Sequence, residues 1–268
     1  MEFAARYGPW ALIAGASEGT GREFARQVAA QGLNCVLVAR RDAPLAVLAG
    51  EITAEFGVEC LTVALDLADP AAADHLLAAI GERDVGLFVA NAGSDPHGAR
   101  LLDRPAQDWR ALIRRNVMTL FDLCYHFAGT MKARGRGGMV LVNSGACYGG
   151  ATYMAIYSAT KAFDLNFGEA LWAELKPFGV DVLNLVMGET DTPELRRFLA
   201  AKGLPLPASV ASAADVAALG LAQLPHGPVC NWGRAGNEGS YGVFSADARR
   251  ERVEMIEQMA KPFFEKGG

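Results

Sequence analysis

The chain of 268 residues has no long apolar run, no paired cysteines, no cluster of histidines and no surplus of positive charge. Each absence closes off a class of function. No segment reaches the roughly 18 consecutive apolar residues that would suggest a membrane span. The N-terminal stretch MEFAARYGPWALIAGASEG offers only a short apolar run, broken by glycine and flanked by acids, which fits no signal peptide. The four histidines are dispersed, and neither His-Glu-x-x-His nor Cys-x-x-Cys occurs, so no metal site is expected. Five cysteines, at 35, 60, 124, 147 and 230, form an odd and scattered set that fits reduced thiols, most of them small core residues. A net charge of −5 gives no electrostatic footprint for nucleic acid or an anionic membrane surface. The expectation is a soluble, cytoplasmic enzyme or binding protein. No Pro/Gly/Ser-rich linker divides the chain, which reads as one domain, 1–268.

What is present is a regular alternation. Short apolar runs at 10–15 (WALIAG), 34–39, 60–65, 86–91, 139–144 and 180–187 read as six strands, with a seventh expected at 227–232. Between them lie stretches such as GREFARQVAAQ with apolar residues at helical spacing. Strands that are apolar throughout, each followed by a helix, imply an α/β fold: a single Rossmann-like, doubly wound parallel sheet of about seven strands with helices on both faces. The segment 192–211 departs from the alternation with a short helix and a Pro/Gly-rich loop, long enough for a lid.

Two local patterns carry chemistry. The first strand runs into GASEGTG, with Gly15, Gly19 and Gly21 opening a helix. Glycines there let the backbone turn tightly and approach a pyrophosphate, which rests on the helix N-terminus; in isolation the same pattern would be only a tight strand–helix turn. About 20 residues on, where an acid usually receives the ribose 2′-hydroxyl of NAD, the chain has Ala39 followed by Arg40 and Arg41. These favour NADP(H) over NAD(H), the other reading being two solvated arginines at a strand end, and Glu18 in the glycine loop weighs against the inference. The second pattern is YSATK. On a helix Tyr157 and Lys161 share one face, and an ammonium beside a phenol favours its ionised form, equipping the pair for acid–base work.

With Asn91-Ala92-Gly93, Asn116 and Ser144 standing in order between these patterns, residues 8 to 193 resemble the short-chain dehydrogenase/reductase family. The resemblance implies hydride transfer between a nicotinamide dinucleotide and a carbonyl or alcohol. Ser144 and Tyr157 would bind the carbonyl oxygen and Tyr157 would pass the proton. Lys161 would tune Tyr157 and hold the nicotinamide ribose, and Asn116 would hold a water linking Lys161 to solvent. It also implies that Gly15, Ser17, Gly19, Gly21, Asn91 and Gly93 contact or support the cofactor, with Asp66 at adenine and Gly188 and Thr192 near the nicotinamide. Asp66 reads equally as an acid preceding the helix PAAADHLLAAI. The chain departs from the family in Met187 before Gly188, where proline is common, and in Glu18, where Arg or Lys is common. That leaves Arg40 as the main candidate for a 2′-phosphate.

Tyr148, Tyr153 and Met154, with Leu195, Phe198 and Leu199 from the lid, suggest a small apolar carbonyl or alcohol substrate, or else residues packed under the lid or in a subunit contact. The opening YGPWALIAGASEGTGREFARQ looks most like the branch of the family that includes steroid and long-chain acyl reductases. By analogy with the family a homodimer or homotetramer is expected. GRAGNEGSYG (233–242) reads as a loop at the pocket mouth or an interface, and the C-terminal helix as packing on the core or on another subunit. An NADP(H)-binding redox sensor without turnover is the alternative function, which the Ser/Tyr/Lys/Asn set argues against. A sugar-nucleotide epimerase would also use Tyr-x-x-x-Lys, with a different glycine spacing and a larger C-terminal region.

Overall fold

A computed structural model describes residues 3–208, 210–232 and 246–264. In chain order the elements begin with α1 (Phe3–Tyr7), β1 (Trp10–Ala14), α2 (Gly19–Ala30), β2 (Asn34–Ala39), α3 (Asp42–Phe56), β3 (Cys60–Ala64), α4 (Ala72–Ile80) and β4 (Val85–Ala90). There follow α5 (Ala106–Ile113), α6 (Thr119–Arg134), β5 (Gly137–Ser144), α7 (Ala155–Leu175) and β6 (Val180–Met187). The last part holds β7 (Thr190–Asp191), α8 (Pro193–Ala201), β8 (Ala211–Ser212), α9 (Ala213–Gln223), β9 (Val229–Asn231) and α10 (Ala246–Phe264).

Seven of the strands form one sheet in the order β3-β2-β1-β4-β5-β6-β9, every pair parallel. The apolar strands explain why both faces are covered. Along β1, Ala11 and Ile13 join one core with Phe24, Val28, Leu48 and Val216, whereas Leu12 and Ala14 join the other with Leu76, Phe88, Leu123 and Phe127. Successive side chains point to opposite faces, so an unbroken apolar run fills two cores at once. The expected seventh strand is β9, and its Asn231 lies beside Val186. Crossing from β1 to β4 reverses the strand order, and the crevice outside the carboxyl ends of those two strands is where such sheets take ligands.

Helix α7 is fixed to the sheet by polar contacts that its apolar pattern does not predict. Asn143 of β5 donates from Nδ2 to the Lys161 carbonyl at 3.1 Å, and Asn184 of β6 donates to the Leu165 carbonyl at 3.2 Å. Gly168 lets the helix approach closely, since a Cβ there would lie 2.4 Å from Asn184 Nδ2 and 2.8 Å from Leu141 Cδ1. The segment expected to be a lid leaves and returns at one point: β7 pairs with β8, Thr190 against Ala211 and Asp191 against Ser212, with α8 carried between them. Helix α10 packs on α7 through the buried pair Arg249 and Glu169, joined at 2.6 Å from Nη2 to Oε2. The glycine-rich stretch 233–242 lies outside the described residues.

Gly168→Ala is expected to overpack the α7–sheet contact and destabilise the protein by about 1–3 kcal/mol. Gly129→Ala, on α6 where an added Cβ meets nothing within 4 Å, is expected to stabilise by about 0.4–1 kcal/mol. Urea unfolding of both variants checks the contrast.

Candidate active site

The glycine loop is shaped by what touches it. Gly15 has φ +81°, and its carbonyl accepts a 3.1 Å hydrogen bond from Asn91 Nδ2 at the end of β4. The amides of Gly15 and Ala16 donate to the Val38 carbonyl at 2.8 and 3.0 Å. A Cβ on Gly21 would stand 2.1 Å from the Gly15 carbonyl oxygen. Helix α2 therefore starts hard against β1, and its N-cap, Glu18, makes no side-chain bond to the first turn. Amides at a helix start that no side chain caps are suited to a phosphate.

A cleft of about 250 Å³ opens above this loop. It is lined by Gly15, Ser17, Gly19, Arg40, Asp66, Asn91, Gly93 and Thr192, the residues expected from sequence; Met187 lines it and Gly188 does not. Gly21 supports the loop from beneath. The Asp66 side chain accepts from Ala68 N at 3.0 Å, while Asp69 takes Ala71 N at 2.8 Å beside the start of α4. Both acids thus make the same local turn bond ahead of α4, and of the two Asp66 lines the cleft.

Charge in the cleft is distributed unevenly. Arg41 is held by Glu18 at 2.9 Å, and Glu18 is also bound by Arg197 of α8, which reaches Glu194 at 2.8 Å. Arg197, with Arg41, holds the Glu18 carboxyl below its ordinary range against the opposing effect of burial. Arg40, next to Arg41 in the chain, also lines the cleft. Arg115 enters the same cleft and donates to the Ser94 carbonyl at 2.6 Å. Burial first, and then the positive charge of Arg40, push its pKa below the usual guanidinium value. Nothing local marks Arg115, an arginine preceding Asn116 with no motif of its own.

Behind Gly93 the cleft meets α7. A Cβ on Gly93 would be 3.0 Å from Lys161 Nζ and 3.6 Å from Asn116 Oδ1, so both groups lie directly behind the cleft wall at Gly93, and neither lines the cleft itself. Asn116 lies in a π turn, Arg114–Met118, that interrupts the continuous α5–α6 helix, an irregularity frequent at functional sites. Its Nδ2 donates to the Gly93 carbonyl at 3.3 Å and to Thr160 Oγ1 at 3.1 Å. Thr160 Oγ1 donates to the Tyr157 carbonyl at 2.8 Å. Lys161 is buried, with Nζ 3.0 Å from the Val142 carbonyl and 3.0 Å from Asp164 Oδ2. Burial opposes its charge, but Asp164 and then Tyr157 outweigh burial and hold its pKa above the ordinary lysine value. Asp164 was also missed from sequence, although an acid three residues after Lys161 shares its face. Ser144 ends β5, its backbone amide donating to Asn143 Oδ1 at 2.8 Å and its Oγ accepting from Ala146 N at 3.3 Å.

Of the candidate substrate residues, Tyr148 donates its hydroxyl to Asn231 Oδ1 at 2.7 Å. Tyr153, at φ +71° and 48% exposed, carries Arg100 over its ring at 5.1 Å. The Met154 carbonyl accepts from Ser158 Oγ at 2.8 Å, at the start of α7. Phe198 of α8 approaches Gly98, whose Cβ would meet its ring at 3.5 Å, and Leu195 and Leu199 are half-buried on the same helix. Thr192 caps α8, its Oγ1 accepting from Leu195 N at 3.2 Å.

A parallel sheet in this order, with a glycine cradle at its switch point, has the architecture of a dinucleotide-binding fold. The pattern of the short chain dehydrogenases matches residues 9–202, and the chain belongs to that family. It is accordingly an enzyme that uses a nicotinamide cofactor on alcohol and carbonyl groups. It is 37% identical over 195 residues to a 7β-hydroxysteroid dehydrogenase of Collinsella aerofaciens, covering 73% of this chain and 74% of that one. A solved 7β-hydroxysteroid dehydrogenase superposes with a TM-score of 0.83 at 30% identity, over 96% of this chain and 100% of the other. A short-chain dehydrogenase from Sphingobium yanoikuyae, solved with NADPH, gives 0.78 at 25% identity over 97% and 98%.

Gly21→Ala is expected to part α2 from the Gly15 carbonyl at a cost of about 1–3 kcal/mol, weakening dinucleotide binding by roughly 10–100-fold. Fluorescence titration with NADPH measures it.

Proposed function

We propose that this enzyme interconverts a bulky apolar ketone and its secondary alcohol, with NADP(H) in preference to NAD(H). The observation that carries the reading is the meeting of two sites at Gly93: Gly93 lines the cofactor cleft, and directly behind it lie Asn116 and the Nζ of Lys161, which is four residues from Tyr157 on the same helix. The cleft fits a dinucleotide because the uncapped start of α2 and its glycine floor leave room for a pyrophosphate. Gly15, Ser17, Gly19, Asn91 and Gly93 would cradle it, Arg40 would take the 2′-phosphate with Arg115 nearby, and Asp66 would meet the adenine. Gly188 and Thr192 would meet the nicotinamide end. When bound, the cofactor supplies or accepts a hydride.

The remaining work falls to the chain. Ser144 and Tyr157 donate hydrogen bonds to the carbonyl oxygen, stabilising negative charge where it develops. Tyr157 delivers the proton to that oxygen, or removes it in the oxidation direction. Lys161, as an ammonium, stabilises the phenolate left behind and holds the ribose. Asn116, fixed through Gly93 and Thr160, positions a water between Lys161 and solvent. Tyr148, Tyr153, Met154 and Phe198 border the substrate, and α8 closes over it as a lid hinged at β7 and β8. The steroid-acting relatives support a rigid, apolar substrate class.

The chain would act as a homodimer through α6 and the turn before it, where Met118, Phe121 and Tyr125 stand 51%, 39% and 76% exposed, Phe121 against Phe167 of α7. Its five cysteines are free thiols, in keeping with a cytoplasmic setting, and no helix among the described residues is long and apolar enough to cross a membrane.

With a panel of cyclic ketones, including 7-ketosteroids, NADPH consumption is expected, and Tyr157→Phe should lower kcat by about 100- to 10,000-fold with NADPH binding retained. Arg40→Ala should raise the KM for NADPH by roughly 10–100-fold, the loss of a charge-assisted contact, and leave that for NADH nearly unchanged. Turnover in Tyr157→Phe at the native rate would refute the assignment. For assembly, light scattering should show Tyr125→Glu shifting from dimer to monomer; a native chain that is monomeric at micromolar concentration would remove that part of the reading.

A further inference from the structure

Helix α7 buries two carboxylates, Asp164 at 3% and Glu169 at 6% exposure. Glu169 is bound by Arg249 of α10. Asp164 has a different arrangement: Oδ2 accepts from Lys161 Nζ at 3.0 Å, with side-chain exposures of 5% for the lysine and 4% for the acid, and Oδ1 has no hydrogen-bond partner. A carboxylate so deep, with one oxygen unpaired, is costly, and an apolar residue would fill the space at less expense. Packing therefore does not explain its presence; its partner does.

We propose that Asp164 is a positioning residue for the chemistry, the buried counter-ion that keeps the Lys161 ammonium charged and placed behind the cleft wall beside Tyr157. The inference deepens the reading of Tyr157 and Lys161 given above and rests on it. Lys161 faces Asp164 and Tyr157 from its own helix, Cys147 from the turn after β5, and the neutral Asn116 from the π turn. Asp164 faces Lys161, Cys124 of α6 and Cys147, and Arg249 of α10 acts on Cys147. Burial pushes both thiols up, Cys147 to about 12, so neither supplies a negative charge in the working range. Among these groups Asp164 is the foremost one offsetting the burial of the ammonium, and burial in turn holds the Asp164 carboxyl above the usual carboxylate range against the pull of Lys161. Without it, burial favours the neutral amine, and the phenolate loses its stabilising charge.

The first test needs neither cofactor nor substrate. Tyrosine ionisation is followed at 295 nm in the cofactor-free protein, and the difference between native and Tyr157→Phe isolates one of the six tyrosines. In Asp164→Asn, measured against Asp164→Asn/Tyr157→Phe, that difference is expected to move to higher pH by about one unit or more. Asp164→Leu, which leaves no orphan polar atom, should move it in the same direction, and Asp164→Glu should return it toward the native position. The second test is oxidation of a 7β-hydroxysteroid with NADP: the rise of kcat with pH should be displaced upward in Asp164→Asn, with KM for the alcohol unchanged. An unmoved titration, or one displaced to lower pH, would overturn the proposal even if the melting temperature falls, because a merely structural acid would alter only the melting. If Tyr157→Phe turns over normally, the catalytic reading fails, and the 295 nm titration still decides the role of Asp164.

Discussion

Two asparagine side chains, buried in adjacent parallel strands, hold the main-chain carbonyls of one helix, and the geometry of the site depends on that grip. Asn143 donates to the Lys161 carbonyl and accepts from the Ser144 amide, so a single side chain links the end of β5 to the middle of α7. Asn184 repeats the contact one helical turn later at Leu165. Apolar packing alone tolerates sliding of a helix along a sheet, whereas hydrogen bonds in a low-dielectric interior do not, because a broken one leaves a buried polar group unsatisfied. The axial position of Lys161 follows, and with it the distance from Nζ to the cleft wall at Gly93.

The opposite wall is set by the same economy of backbone. Asn91 ties β4 to the Gly15 carbonyl, Gly21 brings α2 against that carbonyl, and the uncapped helix start is thereby offered to the cleft. The π turn places Asn116 between the two walls, bonded to Gly93 on one side and Thr160 on the other. Further out, Glu18 is shared between Arg41 at the cleft edge and Arg197 on α8. The cofactor wall and the candidate lid therefore meet in one ionic cluster, largely solvated, whose contribution to stability is small by nature.

Much of this was legible in the sequence because it is written in period and spacing. The unbroken apolar strands gave the doubly covered sheet, since only strands buried on both faces lack polar alternation. GASEGTG and YSATK named the loop and the Tyr/Lys face directly, because glycine and i,i+4 spacing are local signals. Asp66 is less legible, because an acid shortly before a helix has two readings, and both Asp66 and Asp69 make local bonds ahead of α4. The residues that went unseen act across the chain: Arg115 beside Arg40, Asp164 buried against Lys161, Asn184 under α7, Arg197 on Glu18. An isolated Asp or Asn in a helix or strand resembles a surface residue, and nothing local announces that tertiary packing has buried it with a partner.

Asn143 joins Ser144 to α7, and Asn143→Ala, with kcat and the NADPH dissociation constant measured on the same preparation, tests that geometry most directly. The expected result is kcat reduced by roughly 100-fold, as a misplacement of about 1 Å produces, with NADPH bound as tightly as by the native enzyme. Native kcat in that variant, or equal losses in kcat and cofactor binding, would contradict it.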